Sequence, residues 1–295
     1  MKPLPDARLH GSAALLEPGP LLYEGLVRAA LLEDLGHGND LTTDAIVAPQ
    51  ARARARIVAR RAGTIAGLGP AALAFRLLDP HAEIVVRVPD GSRAEEGATI
   101  AEVGARARAI LTGERTALNL LSHLSGIATA TRALVDAVAG TGARIACTRK
   151  TLPGLRVLEK YAVRCGGGSN HRFGLDDAVL IKDNHLAVAG SIHAAVAAVR
   201  AAVGHLVKVE LEVDTLEQLR EALGEPIDAV LLDNMTPQQL AEAVALVAGK
   251  VLTEASGGIT AENAGAIARS GVDLISAGAL THSPKALDLS LEIAP

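Results

Sequence analysis

Two sets of charged side chains in this sequence could meet on one ligand. The cations are Arg115, Arg149, Lys150, His171, Arg172 and Lys182. Arg149 and Lys150 adjoin in Thr148-Arg149-Lys150-Thr151. His171 and Arg172 adjoin in Ser169-Asn170-His171-Arg172, directly after Gly166, Gly167 and Gly168. A solvated pair is the ordinary reading of adjacent basic residues, but a preceding glycine run lets the backbone come close to a bound group. A guanidinium is suited to bidentate contact with carboxylate or phosphate. The carboxylates are Glu212 and Asp233. Two further segments suit a phosphate. Ser256-Gly257-Gly258 leads into a helix start after Thr260, and Ala277-Gly278-Ala279 precedes Thr281 and His282. Glycine exposes backbone N–H groups, and helix N-termini favour negative charge. The ligand expected from these groups carries phosphate and further anionic groups, with Mg2+ between phosphates and carboxylates.

The elements that must position these residues are strands and helices in alternation. Strands are predicted at 144–148, 178–182, 206–213, 229–233, 250–254 and 273–277. Helices are predicted between them at 155–163, 192–203, 216–223, 237–247 and 261–269. Short apolar strands with intervening helices make a parallel sheet, and the later strands recur at roughly 21-residue spacing, near one minimal βα unit. No dinucleotide-type glycine fingerprint follows any strand, which favours a barrel. Polar residues then close strand after strand: Arg149 and Lys150, Lys182, Glu212, Asp233, Glu254 with Ser256, and Gly278. In a βα barrel that end is the mouth of the active site. The run Lys208-Val209-Glu210-Leu211-Glu212-Val213-Asp214 places Lys208, Glu210 and Glu212 on one side of a strand. If that side faces the interior, its charges must be paired; the alternative is an edge strand with one wet face.

Ahead of the barrel, a helix at 21–35 ends at Gly36, and short extended stretches follow at 55–59, 64–67, 82–88 and 99–103. They read as an α+β domain ending near residue 112, followed by a long helix at 113–139. The four prolines Pro3, Pro5, Pro18 and Pro20 mark residues 1–18 as a loose tail. The chain has 295 residues, 49% hydrophobic and 21% charged, with a formal net charge of -4. No general basic surface exists, so nucleic acid and anionic membrane are not expected partners. Aromatic residues are 1% and tryptophan is absent, which limits stacking platforms for single strands. Nothing approaches the roughly 20 apolar residues of a membrane span. Two cysteines, Cys147 and Cys165, fit no zinc or disulfide framework and are expected as reduced thiols in the cytoplasm.

Several segments resemble quinolinate phosphoribosyltransferase, also called nicotinate-nucleotide pyrophosphorylase (carboxylating). They are Gly113-Glu114-Arg115-Thr116, Thr148-Arg149-Lys150-Thr151-Leu152-Pro153-Gly154, Asn170-His171-Arg172 and Leu180-Ile181-Lys182-Asp183-Asn184-His185. The similarity continues through Glu210-Leu211-Glu212-Val213, Leu231-Leu232-Asp233-Asn234, Glu254-Ala255-Ser256-Gly257-Gly258-Ile259 and Gly278-Ala279-Leu280-Thr281-His282-Ser283. The resemblance implies an α/β fold: an N-terminal α/β sandwich domain at 19–125, joined by 284–295, and a seven-stranded, TIM-like α/β barrel at 126–283. Six of the seven strands are assigned above. It also implies a homodimer in which Arg115 reaches the partner's site. The implied substrates are quinolinate and phosphoribosyl pyrophosphate, and the implied cofactor is Mg2+. Arg115, Arg149, Lys150, His171, Arg172 and Lys182 would bind the two quinolinate carboxylates. Glu212 and Asp233 would lie near ribose and Mg2+. Ser256, Gly257, Gly258, Gly278 and His282 would hold the 5-phosphate. Lys150 or a water it holds is the expected proton donor after loss of CO2. Two related readings share much of this pattern. One is a molybdenum-transport accessory protein, set apart by Lys182-Asp183-Asn184-His185; the other is nicotinate phosphoribosyltransferase, set apart by the number of cations. A non-catalytic phosphosugar-binding protein would not need Glu212 and Asp233.

Overall fold

The computed structural model describes residues 15–293, and these form two compact units. Unit 1 comprises 15–129, Val157–Cys165 and 285–293. Unit 2 comprises Ala130–Arg156 and Gly166–Pro284.

Unit 1 opens with helices α1 (Glu24–Leu35) and α2 (Leu41–Ile46). Asp40 caps α2 by accepting the Thr43 N–H at 2.9 Å. Then come β1 (Arg52–Ala59), β2 (Gly63–Thr64), α3 (Leu68–Leu78), β3 (Glu83–Val86), β4 (Arg93–Ala94) and β5 (Thr99–Arg106). Strands β1, β5 and β3 are joined by the last strand of the chain, β12 (Leu289–Ile293), in the antiparallel order β12-β1-β5-β3. The return of the C-terminal stretch to the N-terminal sheet is thus a direct strand pairing.

Three local readings change here. The long helix α4 covers Ala107–Ala137 and begins six residues earlier than expected from 113. No Gly or Pro separates β5 from it, so the chain turns from strand to helix at Arg106. The helix expected at 155–163 is α5 (Arg156–Cys165), but Val157–Cys165 cluster with unit 1 and not with the barrel. Its polar side chains explain this: buried Glu159 bonds His123 at 2.8 Å, and the Tyr161 hydroxyl donates to Asp90 at 2.9 Å. Of the tail expected to be loose over 1–18, residues 1–14 lie outside the described residues, while Glu17 is held by the Tyr23 hydroxyl at 3.2 Å.

Unit 2 holds β6 (Arg144–Ala146), β7 (Val179–Ile181), α6 (Asp183–Ala189), α7 (Ile192–Ala202), β8 (Val209–Val213), α8 (Leu216–Ala222) and β9 (Ala229–Asp233). It continues with α9 (Pro237–Val247), β10 (Leu252–Ser256), α10 (Ala261–Ala268), β11 (Leu274–Ser276) and the short α11 (Ala279–His282). The six strands are parallel in the order β6-β11-β10-β9-β8-β7. No seventh strand of this sheet is present among the described residues; beside β6 there is one isolated parallel bridge, Ser169 to Ala146. Ser169 N–H donates to Ile145 O at 2.7 Å and Cys147 N–H to Ser169 O at 3.1 Å. Outward-facing Val209, Leu211, Val213, Val230, Leu232 and Ile275 pack with helical residues such as Val196, Leu240 and Ile267 in one apolar layer. The alternate positions, Glu210, Glu212, Asp233, Glu254, Ser256 and Ser276, therefore face inward. Strand β8 pairs on both sides, so it is not an edge strand. Among the described residues no single helix is long and apolar enough to cross a membrane.

One contact in unit 1 tolerates no side chain. A Cβ built on Gly126, in α4, would lie 2.4 Å from the Lys285 carbonyl oxygen. The chain there is also tied by Leu287 N–H to Ser122 O at 2.9 Å. Alanine is favoured over glycine in a helix by up to ~1 kcal/mol, yet here the clash is with backbone. Gly126→Ala should lower stability by ~1–3 kcal/mol, read from the shift of the urea midpoint. A raised midpoint would show that the return segment can move aside.

Candidate active site

The polar rim lies where strand ends come into register. Asp233 on β9 pairs with Ser256 on β10, Ser256 with Ser276 on β11, and Ser276 with Ala146 on β6. One layer deeper, Glu212 of β8 pairs with Leu231, and Leu231 with Glu254. These two layers and the loops above them enclose a cavity of about 220 Å³ within unit 2. Eight sequence-derived candidates line it: Arg149, Lys150, His171, Arg172, Lys182, Glu212, Asp233 and Ser256.

The cations occupy one side. Arg149 and Lys150 follow β6, and the loop that carries them is tied down by two bonds. Lys150 N–H donates to Thr148 Oγ1 at 3.0 Å, and Thr281 Oγ1 donates to the Lys150 carbonyl at 2.7 Å. Arg172 donates through Nη1 to Ala178 O at 2.9 Å. The Nε atoms of Arg149 and Arg172 are both buried and have no hydrogen-bond partner in the protein. Burial, followed by repulsion from Arg149, lowers the pKa of Arg172. Two half-buried guanidiniums, each with a buried and unused Nε donor, are a site that an anion would complete.

His171 differs from the cation expected at this position. Its Nδ1 accepts the Arg172 N–H at 2.8 Å, and its Nε2 faces Glu210 Oε2 at 3.0 Å. An accepting Nδ1 bears no proton, so the ring proton sits on Nε2 and is directed at Glu210. The ring thus braces the loop beneath Arg172. Lys182 is also engaged: its Nζ pairs with Glu212 Oε2. Of the three charges placed on one side of β8, Glu210 and Glu212 are paired inside. Lys208 instead reaches Asp228 at 2.6 Å at the opposite strand end.

The glycine segments form the other side. Asn234 follows β9 with a left-handed φ of 54° and donates its N–H to Ser256 O at 2.9 Å. Its amide donates to Asp233 Oδ2 at 2.6 Å. Gly257 has φ +100°, and a Cβ there would meet Asn234 Oδ1 at 2.1 Å. Gly258 also has a left-handed φ, and its carbonyl accepts from Asn263 Nδ2 at 2.8 Å in the first turn of α10. At Gly278 a Cβ would lie 2.8 Å from Lys150 Cδ. His282 follows on α11, its Nδ1 2.6 Å from Ser283 Oγ. Gly257, Gly258, Gly278 and His282 flank the cavity without lining it. Arg115 lies on α4 in unit 1, exposed, and is not among the lining residues.

Thr148, Leu180, Leu231, Glu254 and Ser276 also line the cavity. Glu254 was visible in the sequence as a strand-end carboxylate; its spacing of two from Ser256 puts both on the inner side. Its burial was not legible there. Only 2% of it is exposed, and burial, then the Glu210 charge, push it up to about 7. Glu210 was read only as part of an alternating strand.

Similarity to known proteins also divides the chain within α4. Residues 40–125 match the family of the quinolinate phosphoribosyl transferase N-terminal domain, and residues 127–292 that of its C-terminal domain. The nicotinate-nucleotide pyrophosphorylase (carboxylating) of Mycobacterium leprae is 50% identical over 273 residues, covering 90% of this chain and 95% of its own length. A probable nicotinate-nucleotide pyrophosphorylase (carboxylating) of Bacillus subtilis is 46% identical over 273 residues, covering 92% and 94%. The structure of nicotinate-nucleotide pyrophosphorylase from Francisella tularensis superposes with a TM-score of 0.88 at 38% identity, covering 94% of this chain and 98% of that one. Both domain matches, in chain order and at these identities, have one reading: the chain belongs to the quinolinate phosphoribosyl transferase family.

Proposed function

We infer that this pocket transfers the phosphoribosyl group of phosphoribosyl pyrophosphate to quinolinate and releases CO2. The products are nicotinate mononucleotide, CO2 and pyrophosphate, and the step serves NAD biosynthesis. The single observation that carries this is the pair of buried, unpartnered guanidinium nitrogens of Arg149 and Arg172 in the same cavity as Glu212 and Asp233. One side of the cavity calls for a multiply charged anion, and the other is suited to a developing cation.

In this reading Arg149 and Arg172 grip the quinolinate carboxylates. Lys182 exchanges its bond to Glu212 for one to the substrate. Positive charge grows at ribose C1 as the bond to pyrophosphate breaks and the pyridine nitrogen attacks. Asp233 and Glu212 stabilise that charge. They also provide the hard oxygen donors that would hold Mg2+, a cation that usually takes one or two carboxylates and the substrate phosphates. When bound, Mg2+ offsets the negative charge of the leaving pyrophosphate. Ser256, Gly257, Gly258, Gly278 and His282 receive the 5-phosphate. The 2-carboxylate leaves as CO2, its bonding electrons stay on the ring carbon, and Lys150 or a water it holds supplies the proton. The reading includes a cytoplasmic setting, supported by Cys147 and Cys165, which are both buried and not joined in a disulfide.

Incubation with quinolinate, phosphoribosyl pyrophosphate and Mg2+ should release CO2 and pyrophosphate in equal amounts. Nicotinate should be a poor substitute, with kcat/KM lower by roughly 10³ or more, because one carboxylate leaves enclosed guanidinium donors unpaired. Comparable kcat/KM for the two acids would refute the assignment of the cations. Gly257→Ala should raise KM for phosphoribosyl pyrophosphate on the order of 10-fold, the effect of about 1.4 kcal/mol. The added methyl displaces Asn234 and forces a left-handed backbone. An unchanged KM would reduce Gly257 to a turn residue.

Arg115 enters the proposal through a second copy of the chain. It is exposed on α4, and the homodimer reading has it complete the partner's pocket. Arg115→Ala and Lys150→Ala should each be nearly inactive. Unfolded and refolded together, they should regain roughly a quarter of wild-type activity, because about half the dimers are mixed and one of two sites in each is intact. Mixed dimers without activity would place Arg115 in its own chain's site or in folding alone.

A further inference from the structure

Beneath the pocket, three side chains converge on one point. His171 Nε2 lies 3.0 Å from Glu210 Oε2 and 3.7 Å from Glu254 Oε1. They part the pocket from a second cavity of about 260 Å³, lined also by Arg144 and Lys208 at the other end of the strands. By type and spacing the three could hold a metal ion, since one ligand atom from each falls within 4.8 Å of the others. The far side of the imidazole decides against that. Nδ1 accepts the Arg172 N–H at 2.8 Å, so it carries no proton, and Nε2 must carry one. A protonated Nε2 offers no lone pair to a metal. A neutral ring binding a metal through Nε2 would need a proton on Nδ1, pointed at another N–H.

The same bond gives the cluster a different role. Arg172 is in a loop that leaves the sheet after the single bridge at Ser169, and the hydrogen-bonded sheet ends on its other side at β7. No continuous ladder fixes the direction of this loop. The bonds that do include the Arg172 Nη1 contact to Ala178 O, the Phe173 and Gly174 N–H contacts to the Asp177 carboxylate, and the path from Glu210 through the imidazole to the Arg172 N–H; the last of these ties the loop to β8. We propose that Glu210 and Glu254 are positioning residues for the reaction: through His171 they aim the Arg172 guanidinium at the anionic substrate. This rests on the functional reading above.

The two carboxylates have separate parts. Glu210 accepts the Nε2 proton and fixes the ring tautomer, as outer partners of a working histidine commonly do. Glu254 closes the space behind the ring. It is hydrogen-bonded by Ser276 of β11, and its Oε1 is buried without a hydrogen-bond partner. An unpaired anion is poorly tolerated there, and burial, then Glu210, push Glu254 up to about 7. A neutral amide at this position should therefore do most of what the acid does.

The test uses the full chain carrying Glu210→Leu, Glu210→Gln, Glu254→Leu or Glu254→Gln, with each substrate varied separately. Both leucine variants should raise KM for quinolinate about 10-fold or more and leave KM for phosphoribosyl pyrophosphate within about 2-fold. Glutamine at either position should restore most of the loss. In spectra of chain labelled with nitrogen-15 histidine, His171, assigned with His171→Gln, should be in the Nε2–H form and should lose it in Glu210→Leu. An active wild type whose leucine variants keep their quinolinate KM, or raise both KM values alike, overturns the inference alone. So does an Nδ1–H form of His171 in wild type, which would reopen the metal. A wild type inactive on quinolinate overturns the functional reading and this inference together.

Discussion

Charges enclosed by the barrel strands must be satisfied by one another or by the ligand. That constraint orders the site. The six strands of unit 2 put their aliphatic residues outward against the helices and their polar residues inward. Each inward carboxylate has a protein partner: Glu210 meets His171, Glu212 meets Lys182, Asp233 meets the Asn234 amide, and Glu254 is hydrogen-bonded by Ser276. Glu254 faces Glu210 across the ring and is held up to about 7, first by burial and then by that charge. Removing one member of a buried charged pair typically costs about 3–5 kcal/mol, because the other is left stranded. The inner residues of β8 and β10 are thus bound to the loop that carries His171. The cations left short of partners, Arg149 and Arg172, are the ones that a substrate would pair.

Much of this was legible in the sequence. The polar residues at strand ends form a mouth because βα repeats place every strand end on one side of the sheet, and parallel register then aligns Asp233, Ser256 and Ser276. The strand at 229–233 could be read because it is a short aliphatic run between helical periods, whereas the one expected at 250–254 is observed two residues later. The bridge at Ser169 could not be read. Ser169 makes a single bridge, and its neighbours Gly168 and Asn170 carry no strand pattern. The break before α4 was misplaced for a related reason: nothing between Arg106 and Gly113 punctuates the chain. Helix α5 was assigned to the barrel by its place in the alternation, but the partners of Glu159 and Tyr161 lie in unit 1, and sequence order carries no information about that.

His171 marks the limit of reading charge from residue type. Beside Arg172 in a glycine-led loop, a histidine looks like one more cation for an anionic ligand. In the structure it is the acceptor for its neighbour's N–H and the donor to a glutamate on β8. The number of charges facing the pocket therefore depends on hydrogen bonds made behind it. The contrast with Lys182 is instructive. Lys182 is 45% exposed at its side chain and pairs with Glu212 through a flexible stem, so a ligand can compete for it. His171 is 12% exposed and is bonded at both nitrogens, so substrate gains little by displacing it. The pocket is thereby divided into groups that can change partners during a reaction cycle and groups that hold them in place.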